Sequence, residues 1–375
     1  MLMLRLQKLF GLKGDALQWL CSYFSNRRQR IIIGNRSSSA LPLTTGVPQG
    51  SVVGPGTFPA YTKPLGDMVR THDVDLHLYA DDTQLYLGVH LPDANITKIK
   101  LETCVGEVRK WMAANMLKLN DGKTEYMVMG SNHMMKHIPP CLNSISIGNS
   151  IISKATSARN IGVIMDETLS MEHQVNNICR SCYLSIRNIS RIRPYLTEET
   201  TKQLVIAYVI SKLDYNNALL YKMNKKYLKK LQRIQDVCAR LVMNTRTGVS
   251  TEDMKKALHW LPVEQRIIFK INLLTYICLN HDAPQYLQDL LAVEQLGRST
   301  RSESTCRLKE SLVRKDMVTE PLEMLHHRSG IIYLLKSASA PQSTCLNANL
   351  RLTCLKLPST NSNIQTTSNC FYMFY

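Results

Sequence analysis

The sequence predicts an α+β fold, with short strands and helices in its first part and a long helical region after them. The first observation is LHLYADDTQLYLGV (76–89), where two apolar runs flank Asp81 and Asp82 as in a β-hairpin. The second is a helical apolar period from about Glu172 to Leu291. The third is a change, after about residue 295, to Ser, Thr and Asn without a period. Residues 296–375 are therefore expected to be a degenerate, mostly disordered tail.

The start of the chain predicts two helices. Residues 5–24 divide into two helical pieces at Gly11–Gly14. Asp15 and Gln18 have the spacing of a capping box, which predicts that Asp15 caps the second piece. One apolar face of that second helix is expected to carry Leu17, Leu20 and Phe24.

Strands and further helices follow. RIIIG (30–34) and LPLTTG (41–46) flank a Ser-rich loop and predict a strand pair. Residues 97–119 predict a helix, and YMVMG (126–130) and SISIG (144–148) predict strands. The later helical region has expected stops near Pro194, Gly248, Pro262 and Pro284.

The net charge of the chain predicts a polyanionic partner. Lys and Arg number 46 against 29 Asp and Glu, which gives a formal net charge of +17. An excess of this size is most often associated with nucleic acid. The chain contains no apolar run of about 18 residues, so no membrane partner is expected.

One predicted helix concentrates the positive charge. Residues 221–240 hold seven basic residues and one acidic residue. At helical spacing, one face collects Lys222, Lys226, Lys229 and Arg233. A second face is apolar and collects Tyr227, Leu231, Ile234, Cys238 and Leu241. The basic face is either a track for a nucleic-acid backbone or a solvated charged surface.

Eleven cysteines, an odd number without a regular framework, indicate reduced thiols and an intracellular protein. Cys179-x-x-Cys182 with His173 nearby is the strongest alternative, a metal site. The stretch is helical, however, and no second Cys/His pair follows at zinc spacing, which argues against zinc.

Asp81 and Asp82 raise an electrostatic question, because adjacent carboxylates repel each other and one would tend to take up a proton. A divalent cation removes that cost, and carboxylate oxygens are the ligands that Mg²⁺ prefers. The alternative is a tight turn that uses Asp-Asp because Asp tolerates turn geometry.

Seven stretches, in order, resemble the reverse transcriptases of non-LTR (LINE-type) retrotransposons, particularly the jockey-type lineage. They are WLCSYFSNRRQRIIIG (19–34), GVPQGSVVGP (46–55), YTKPLGD (61–67), LHLYADDTQLYL (76–87), LKLNDGKTEYMVMGS (117–131), ARNIGVIMDETLSMEHQV (158–175) and LPVEQRIIFKINLLTYICLN (261–280). The resemblance covers roughly residues 3–305.

The resemblance implies a fold, an activity and partners. Residues 1–135 would form a partial right-hand polymerase palm, and residues 136–295 a mostly helical, thumb-like region. The implied activity is RNA-templated DNA synthesis, in which two Mg²⁺ ions clamp the attacking and leaving oxygens of nucleotidyl transfer. The implied partners are an RNA template, a DNA primer, the element RNA and a deoxynucleotide, and no other small molecule.

The resemblance also assigns roles to particular residues. Asp81 corresponds to a principal metal ligand with Asp82 beside it, and Tyr79 and Ala80 lie close to the primer end. The loop that touches the template and the incoming nucleotide corresponds to Gly46, Pro48, Gln49 and Gly50; the alternative is a purely structural turn. Lys123 corresponds to a lysine that approaches the phosphates; the alternative is a simple turn lysine.

Three departures from the family pattern predict an inactive, truncated copy. The family places another catalytic carboxylate on an upstream strand, and Asp15 is the one acidic residue here before Asp67. Gly56 and Pro59 are expected to interrupt a helix of the family, because glycine inside a helix costs about 1 kcal/mol of stability and proline about 3 kcal/mol. Beyond Arg307 the resemblance ends. The alternatives are an active polymerase, a non-catalytic nucleic-acid-binding remnant, or a helical interaction module over residues 172–291.

Overall fold

The computed structural model describes residues 1–43, 46, 50–89, 91–245, 248–280, 282–289 and 291. Its described part mixes helices with two-stranded antiparallel sheets, so the predicted α+β class is confirmed. The chain divides into two compact units. Unit 1 comprises residues 1–126 and 138–154, and unit 2 comprises residues 127–137 and the described residues from 155 onward. The predicted tail, residues 296–375, lies outside the described residues.

The described residues of unit 1 form four α-helices and four short antiparallel strand pairs. The helices are α1 (Leu2–Phe10), α2 (Gly14–Phe24), α3 (Gly54–Arg70) and α4 (Ala94–Ala114). The strands are β1 (Arg28–Gln29), β2 (Ile32–Ile33), β3 (Arg36–Ser37), β4 (Leu41–Pro42), β5 (Asp75–Tyr79), β6 (Asp82–Tyr86), β7 (Ser144–Ile147) and β8 (Ser150–Ser153). They pair as β1–β4, β2–β3, β5–β6 and β7–β8.

The main core of unit 1 lies between the β5–β6 hairpin, α3 and α4. Its buried residues are Leu65, Val69, Val74, Cys104, Val108 and Met112. Alternate strand residues point to one face of a sheet, so Leu76, Leu78 and Leu85 pack together against this core. One face of the hairpin therefore packs against this core.

An arginine of α1 ties three helices of unit 1 together. The Arg5 guanidinium donates hydrogen bonds to the Tyr61 carbonyl on α3 and to Oδ1 of Asn115, just after α4. It also lies 4.5 Å from the ring centroid of Tyr61 and 5.4 Å from that of Trp111. Cation–π contacts of this kind add to the hydrogen bonds when the cation is partly desolvated.

Helix α3 corrects one sequence prediction, because it continues through Gly56 and Pro59, and through Pro64 as well. Both Gly56 and Pro59 lie on its exposed side. Its opposite side is a buried stripe of Thr57, Ala60, Thr62, Leu65, Gly66 and Val69. The predicted interruption is therefore wrong, because burial of this stripe outweighs a local cost of about 3 kcal/mol for the proline.

The start of α2 corrects a second prediction. The helix begins at Gly14, its N-cap is Lys13, and no side chain caps it. Asp15 lies inside the first turn, where a negative charge is favourable beside the helix N-terminus. The capping box of Asp15 and Gln18 is therefore wrong, although the two predicted helices are confirmed.

The predicted strands of unit 1 are confirmed in part. Strand β4 pairs with β1 rather than with RIIIG, and the isoleucines of β2 instead turn back onto β3. SISIG forms β7 as predicted. In YMVMG, Tyr126 makes an isolated bridge to Lys154, and the segment forms no named strand. The helix predicted over 97–119 is α4, which ends at Ala114.

Unit 2 is mainly helical. Its helices are α5 (Asn132–Met135), α6 (Glu172–Ile192), α7 (Glu198–Val205), α8 (Ser211–Asp214), α9 (Lys225–Met243), α10 (Thr251–Ala257), α11 (Val263–Leu279) and α12 (Gln285–Gln288). A π-helical turn, Ile206–Ile210, joins α7 to α8. The antiparallel strands β9 (Ser157–Asn160) and β10 (Val163–Asp166) precede α6. The core includes the fully buried Val175, Val205, Leu231, Ile234 and Ile271.

A buried carboxylate positions the start of α6. Asp166 accepts hydrogen bonds from the backbone N–H groups of Thr168, Ser170 and Met171 at 3.2, 2.8 and 2.8 Å, and from the hydroxyls of Thr168 and Ser170. Burial alone raises the pKa of Asp166, but the hydrogen bonds from Ser170, Thr168 and Met171 outweigh it and leave that pKa below its ordinary value. The turn between β10 and α6 is thus built around an ionised side chain.

Within the described residues, no helix combines the length and the apolar character that crossing a membrane requires.

Candidate metal and nucleic-acid site

Asp81 and Asp82 lie at the tip of the β5–β6 hairpin, as the sequence predicts. In this antiparallel pair Tyr79 is opposite Asp82, and Ala80 and Asp81 form the turn between them. Ala80 has a φ of +52°, a left-handed conformation that a residue with a Cβ adopts only at a cost in energy. Both aspartates are exposed. The hairpin therefore presents two adjacent carboxylates to solvent from a stiff support.

The two faces of the hairpin differ in chemistry. Leu78 and Thr83 are paired on the face that packs into the core of unit 1. Tyr79 and Asp82 are paired on the opposite face, which His77 and Gln84 extend. Burial lowers the pKa of His77, so its imidazole is neutral at pH 7. Asp82 is thus flanked by an aromatic ring and by neutral polar groups.

The donor set at the hairpin tip fits part of a magnesium site. Carboxylate oxygens are hard ligands, and Mg²⁺ in enzymes is often held by one or two carboxylates, with waters and substrate phosphates completing its shell. No described residue forms an ion pair with Asp81 or Asp82. Nor do the described residues contain a cluster of three or more His, Cys, Asp or Glu able to hold a metal ion. Asp81 and Asp82 thus offer two carboxylates, and a magnesium site there would need further ligands.

The glycine-flanked loop before α3 has the backbone conformation that glycine allows. Gly46 and Gly50 have φ angles of +86° and +80°, which L side chains rarely adopt. Pro48 and Gln49, the other two predicted loop residues, lie outside the described residues. Both glycines are therefore required by the local backbone, whatever the loop contacts.

Lys123 lies in a short 3₁₀ turn, Asp121–Lys123, and its side chain is exposed. Its backbone N–H donates to the Asn120 carbonyl at 3.1 Å. Among the described contacts, no hydrogen bond or ion pair joins Lys123 to Asp81 or Asp82. The structure therefore does not bring Lys123 into direct contact with the hairpin tip.

The basic face of α9 is present but shorter than predicted. The side chain of Asn224 caps the helix by accepting from the N–H of Lys226 at 3.0 Å, so α9 begins at Lys225. Lys222 precedes this cap and has a φ of +53°, so its place on the helical stripe is a wrong prediction. Lys226, Lys229 and Arg233 are on the helix and exposed. The predicted apolar face is confirmed, because Tyr227, Leu231, Ile234 and Cys238 are buried and Leu241 packs against them.

Helix α9 carries two further exposed lysines that the predicted basic face does not include. Lys225 and Lys230 are exposed. The ammonium groups of Lys226 and Lys230 lie 4.5 and 5.5 Å from the ring centroid of Tyr227. Lys230 also donates to Oδ1 of Asn176 on α6 at 3.0 Å. The sequence does contain a signal for a wider basic surface. It is the two Lys-Lys pairs, 225–226 and 229–230, which add cations beside the predicted stripe.

Residues 4–165 match the family model described as reverse transcriptase (RNA-dependent DNA polymerase). That stretch is therefore similar to the reverse transcriptase family. A relative from Drosophila melanogaster, "Probable RNA-directed DNA polymerase from transposon BS", is 26% identical over 190 residues. The aligned part is 49% of this chain and 20% of the relative, so the chain spans about a fifth of that protein. The predicted resemblance to a retrotransposon reverse transcriptase is confirmed at this level.

The match to the reverse transcriptase family contains the hairpin with Asp81 and Asp82, both loop glycines and Lys123. Helix α9 lies outside it, so a role for Lys226, Lys229 and Arg233 depends on their own exposure and charge.

Proposed function

We propose that unit 1 is part of the palm of a non-LTR retrotransposon reverse transcriptase and that Asp81 and Asp82 are ligands of its Mg²⁺. The observation that carries this proposal is the hairpin, which holds two exposed carboxylates at its tip inside the matched domain. When bound there, Mg²⁺ would neutralise charge on the phosphoryl oxygens during nucleotidyl transfer.

The residues around the hairpin tip would position the reacting strands. Tyr79 shares a face with Asp82 and would contact the primer end together with Ala80. The loop from Gly46 to Gly50, including Pro48 and Gln49, would approach the template and the incoming deoxynucleotide. Lys123 would reach toward the phosphates. Positioning of this kind accounts for most of the catalysis in phosphoryl transfer.

The 375-residue polypeptide is expected to be inactive in isolation. Its hairpin offers two carboxylates, and no third metal ligand joins them among the described residues. Two carboxylates attract a divalent cation but leave its geometry loose, and phosphoryl transfer depends on that geometry. A further carboxylate from a preceding segment of a longer protein would complete the site.

The second candidate function is non-catalytic binding of nucleic acid by unit 2. Lys226, Lys229 and Arg233 are exposed along one side of α9, and its other side is buried. We propose that this surface, with Lys222 at its start, follows the phosphate backbone of the template–primer duplex or of the element RNA. In the polymerase this would be a function of a thumb-like region over residues 136–295.

Manganese binding tests the proposed metal ligands, since Mn²⁺ replaces Mg²⁺ at oxygen sites and is paramagnetic. The 375-residue chain should bind Mn²⁺ weakly, and Asp81→Asn with Asp82→Asn should remove this binding. Asp75→Asn is the matched control, because Asp75 is an exposed aspartate at the other end of the same hairpin. Equal Mn²⁺ binding by the double variant and the parent chain would refute the assignment.

A further inference from the structure

Helix α2 and the residues just after it carry a stack of two aromatic rings and a guanidinium, of which the first ring is exposed. The rings of Trp19 and Tyr23 have centroids 5.6 Å apart and planes 18° apart. The Arg27 guanidinium lies 4.6 Å from the centroid of the Tyr23 ring. The three residues are spaced by four, so they follow one face of the helix and its exit. Trp19 is 57% exposed although Tyr23 stacks on it, which leaves indole surface available to a ligand.

A two-stranded arm continues from this stack. We define the arm as residues 27–43: β1 pairs with β4, and β2 pairs with β3 nearer the tip. The N–H of Leu43 donates to the Arg27 carbonyl at 2.8 Å, and the N–H of Ser38 to the Ile31 carbonyl at 2.9 Å. Every residue from Arg28 to Pro42 is exposed. The arm therefore presents its backbone and both of its faces to solvent.

The arm and the sequence on either side of it contain basic residues and no acidic ones. No Asp or Glu occurs from Ala16 to Gly66, and the arm itself contains Arg27, Arg28, Arg30 and Arg36. The acidic residue nearest in sequence to Trp19 is Asp15, which lies one turn before Trp19 on the same side of α2. The charge thus becomes positive in the direction from Trp19 toward the arm.

We propose that the Trp19–Tyr23–Arg27 stack and the arm bind single-stranded nucleic acid. One base stacks on the open surface of Trp19, and the backbone follows Arg28, Arg30 and Arg36 away from Asp15. Aromatic side chains beside a basic track are the usual means of binding a single strand without sequence preference. A single strand fits better than a duplex, because its bases are free to stack on protein. The site deepens the proposed function, since it would hold the unpaired template.

Trp19 also provides a direct signal for the test. The other two tryptophans, Trp111 and Trp260, are partly buried and 9% exposed respectively. Titration of the full chain with a single-stranded oligonucleotide of about 12 nucleotides, without divalent metal, should quench tryptophan fluorescence. Trp19→Leu should remove that quenching.

Fluorescence anisotropy measures how much each side chain contributes to the affinity for the oligonucleotide. Trp19→Ala should weaken binding by about fivefold or more, and Trp19→Phe should retain most of the affinity. Joint replacement of Arg28, Arg30 and Arg36 by Gln should reduce the slope of log affinity against log salt by about 2. Asp15→Asn should strengthen binding, a gain that a purely structural role for this face does not predict. Lys8→Ala is the control, because it removes one exposed cation of α1 in the same unit.

Two further experiments separate this inference from the proposed function. The Asp81→Asn, Asp82→Asn variant should keep full single-strand affinity even though its metal site is lost. The series is repeated in a chain whose Lys222, Lys226, Lys229 and Arg233 are Gln, so that binding by α9 does not mask the effect.

Three results would overturn the inference. The first concerns the chain in which the four cations near α9 are Gln. If Trp19→Ala and the triple arginine variant both keep an affinity within twofold of that chain, the inference is wrong. Another is equal loss of affinity for duplex and single strand. The third is self-association of the chain that Ile32→Asp abolishes while oligonucleotide binding is unchanged, which would make the arm a contact between copies.

Discussion

Tyr79 lies directly opposite Asp82 in the β5–β6 ladder, so the ring and the carboxylate share the face of the hairpin that points away from the core. Asp81, next to it, belongs to the turn. The alternation that packs Leu78 against the core is what turns Asp82 outward, because a change of one residue in register would exchange the two faces. The candidate metal ligands therefore owe their position to the apolar pattern of the strands.

The turn that carries Asp81 is strained at Ala80. With a φ of +52°, this alanine occupies a region that glycine adopts without cost. We expect Ala80→Gly to raise the free energy of unfolding by up to about 1 kcal/mol, measured by urea denaturation. Ala113→Gly, at an exposed position of α4, is the control and should lower it by about 1 kcal/mol. A loss of stability with Ala80→Gly would mean that the turn differs from the one described.

Helix α3 should become more stable when its two breakers are removed. Gly56 and Pro59 are exposed, and a Cβ built on Gly56 meets no atom within 4 Å. Gly56→Ala is expected to add about 1 kcal/mol to the free energy of unfolding, and Pro59→Ala up to about 3 kcal/mol. Gly11→Ala should act in the opposite direction, because Gly11 ends α1 with a φ of +66°. Unchanged stability in both α3 variants would indicate that the helix is broken there, as the sequence alone suggests.

Acid should destabilise unit 2 through Asp166. The pKa of this carboxyl is lower in the folded chain than in the unfolded chain. Its contribution to stability is therefore fully present above the unfolded value of about 3.9 and is lost as pH falls through the folded pKa. Asp166→Asn should lower the free energy of unfolding at pH 7 by about 1–3 kcal/mol, since several hydrogen bonds are weakened. Urea titrations between pH 7 and pH 3 should show a smaller loss on acidification for this variant than for the parent chain.

An Asp166→Asn variant with the same acid sensitivity as the parent would assign the effect to other carboxyl groups. Glu167→Gln is a matched control, because it changes the neighbouring carboxylate and leaves the ring of hydrogen bonds around Asp166 in place.

The basic surface of α9 should give salt-sensitive, sequence-independent binding to duplex nucleic acid. With about four phosphates neutralised, log affinity should fall with log salt at a slope of roughly −3 to −4. Replacing Lys226, Lys229 and Arg233 by Ala should flatten the slope by about 3, whereas Lys222→Ala, which precedes the helix, should have a smaller effect. Lys256→Ala, an exposed lysine of α10, is the control. An unchanged slope in the triple variant would mean that α9 simply presents a solvated face.

The sequence predicted the hairpin because that feature is local. For the same reason Pro194 follows the end of α6, and Pro262 and Pro284 lie at the start of α11 and α12. Two alternating apolar runs around a turn, or a proline after a helix, determine the backbone within a few residues. Helix α3 was predicted wrongly because its continuity depends on a buried stripe, and packing energy cannot be read from the cost of Gly56 and Pro59. Lys222 was misplaced although its signal was present, since Asn224 is a good N-cap and marks the start of α9.

Some parts of the candidate site could likewise be predicted from the sequence, and others could not. Adjacent carboxylates at a turn could be predicted from residues 76–89, and their exposed position follows from strand alternation. The Trp19–Tyr23–Arg27 stack could also have been found, because a spacing of four puts aromatic and basic residues on one helix face. The roles of Pro48 and Gln49, which lie outside the described residues, follow from the resemblance alone. The role of Lys123 does so too, since no contact among the described residues links it to the hairpin.

Primer extension dependent on Asp81 tests the central claim most directly. The 375-residue chain, given an RNA template, a DNA primer, deoxynucleotides and Mg²⁺, should give no extension, because its hairpin supplies only part of the metal shell. A fusion that adds an upstream segment of the family type, carrying a further aspartate, should extend the primer and should lose this activity with Asp81→Ala but not with Asp75→Ala. Because α3 is continuous, Gly56 and Pro59 do not have to be replaced in this fusion. A folded fusion that binds the template–primer yet gives no extension, or one whose activity survives Asp81→Ala, would contradict the account.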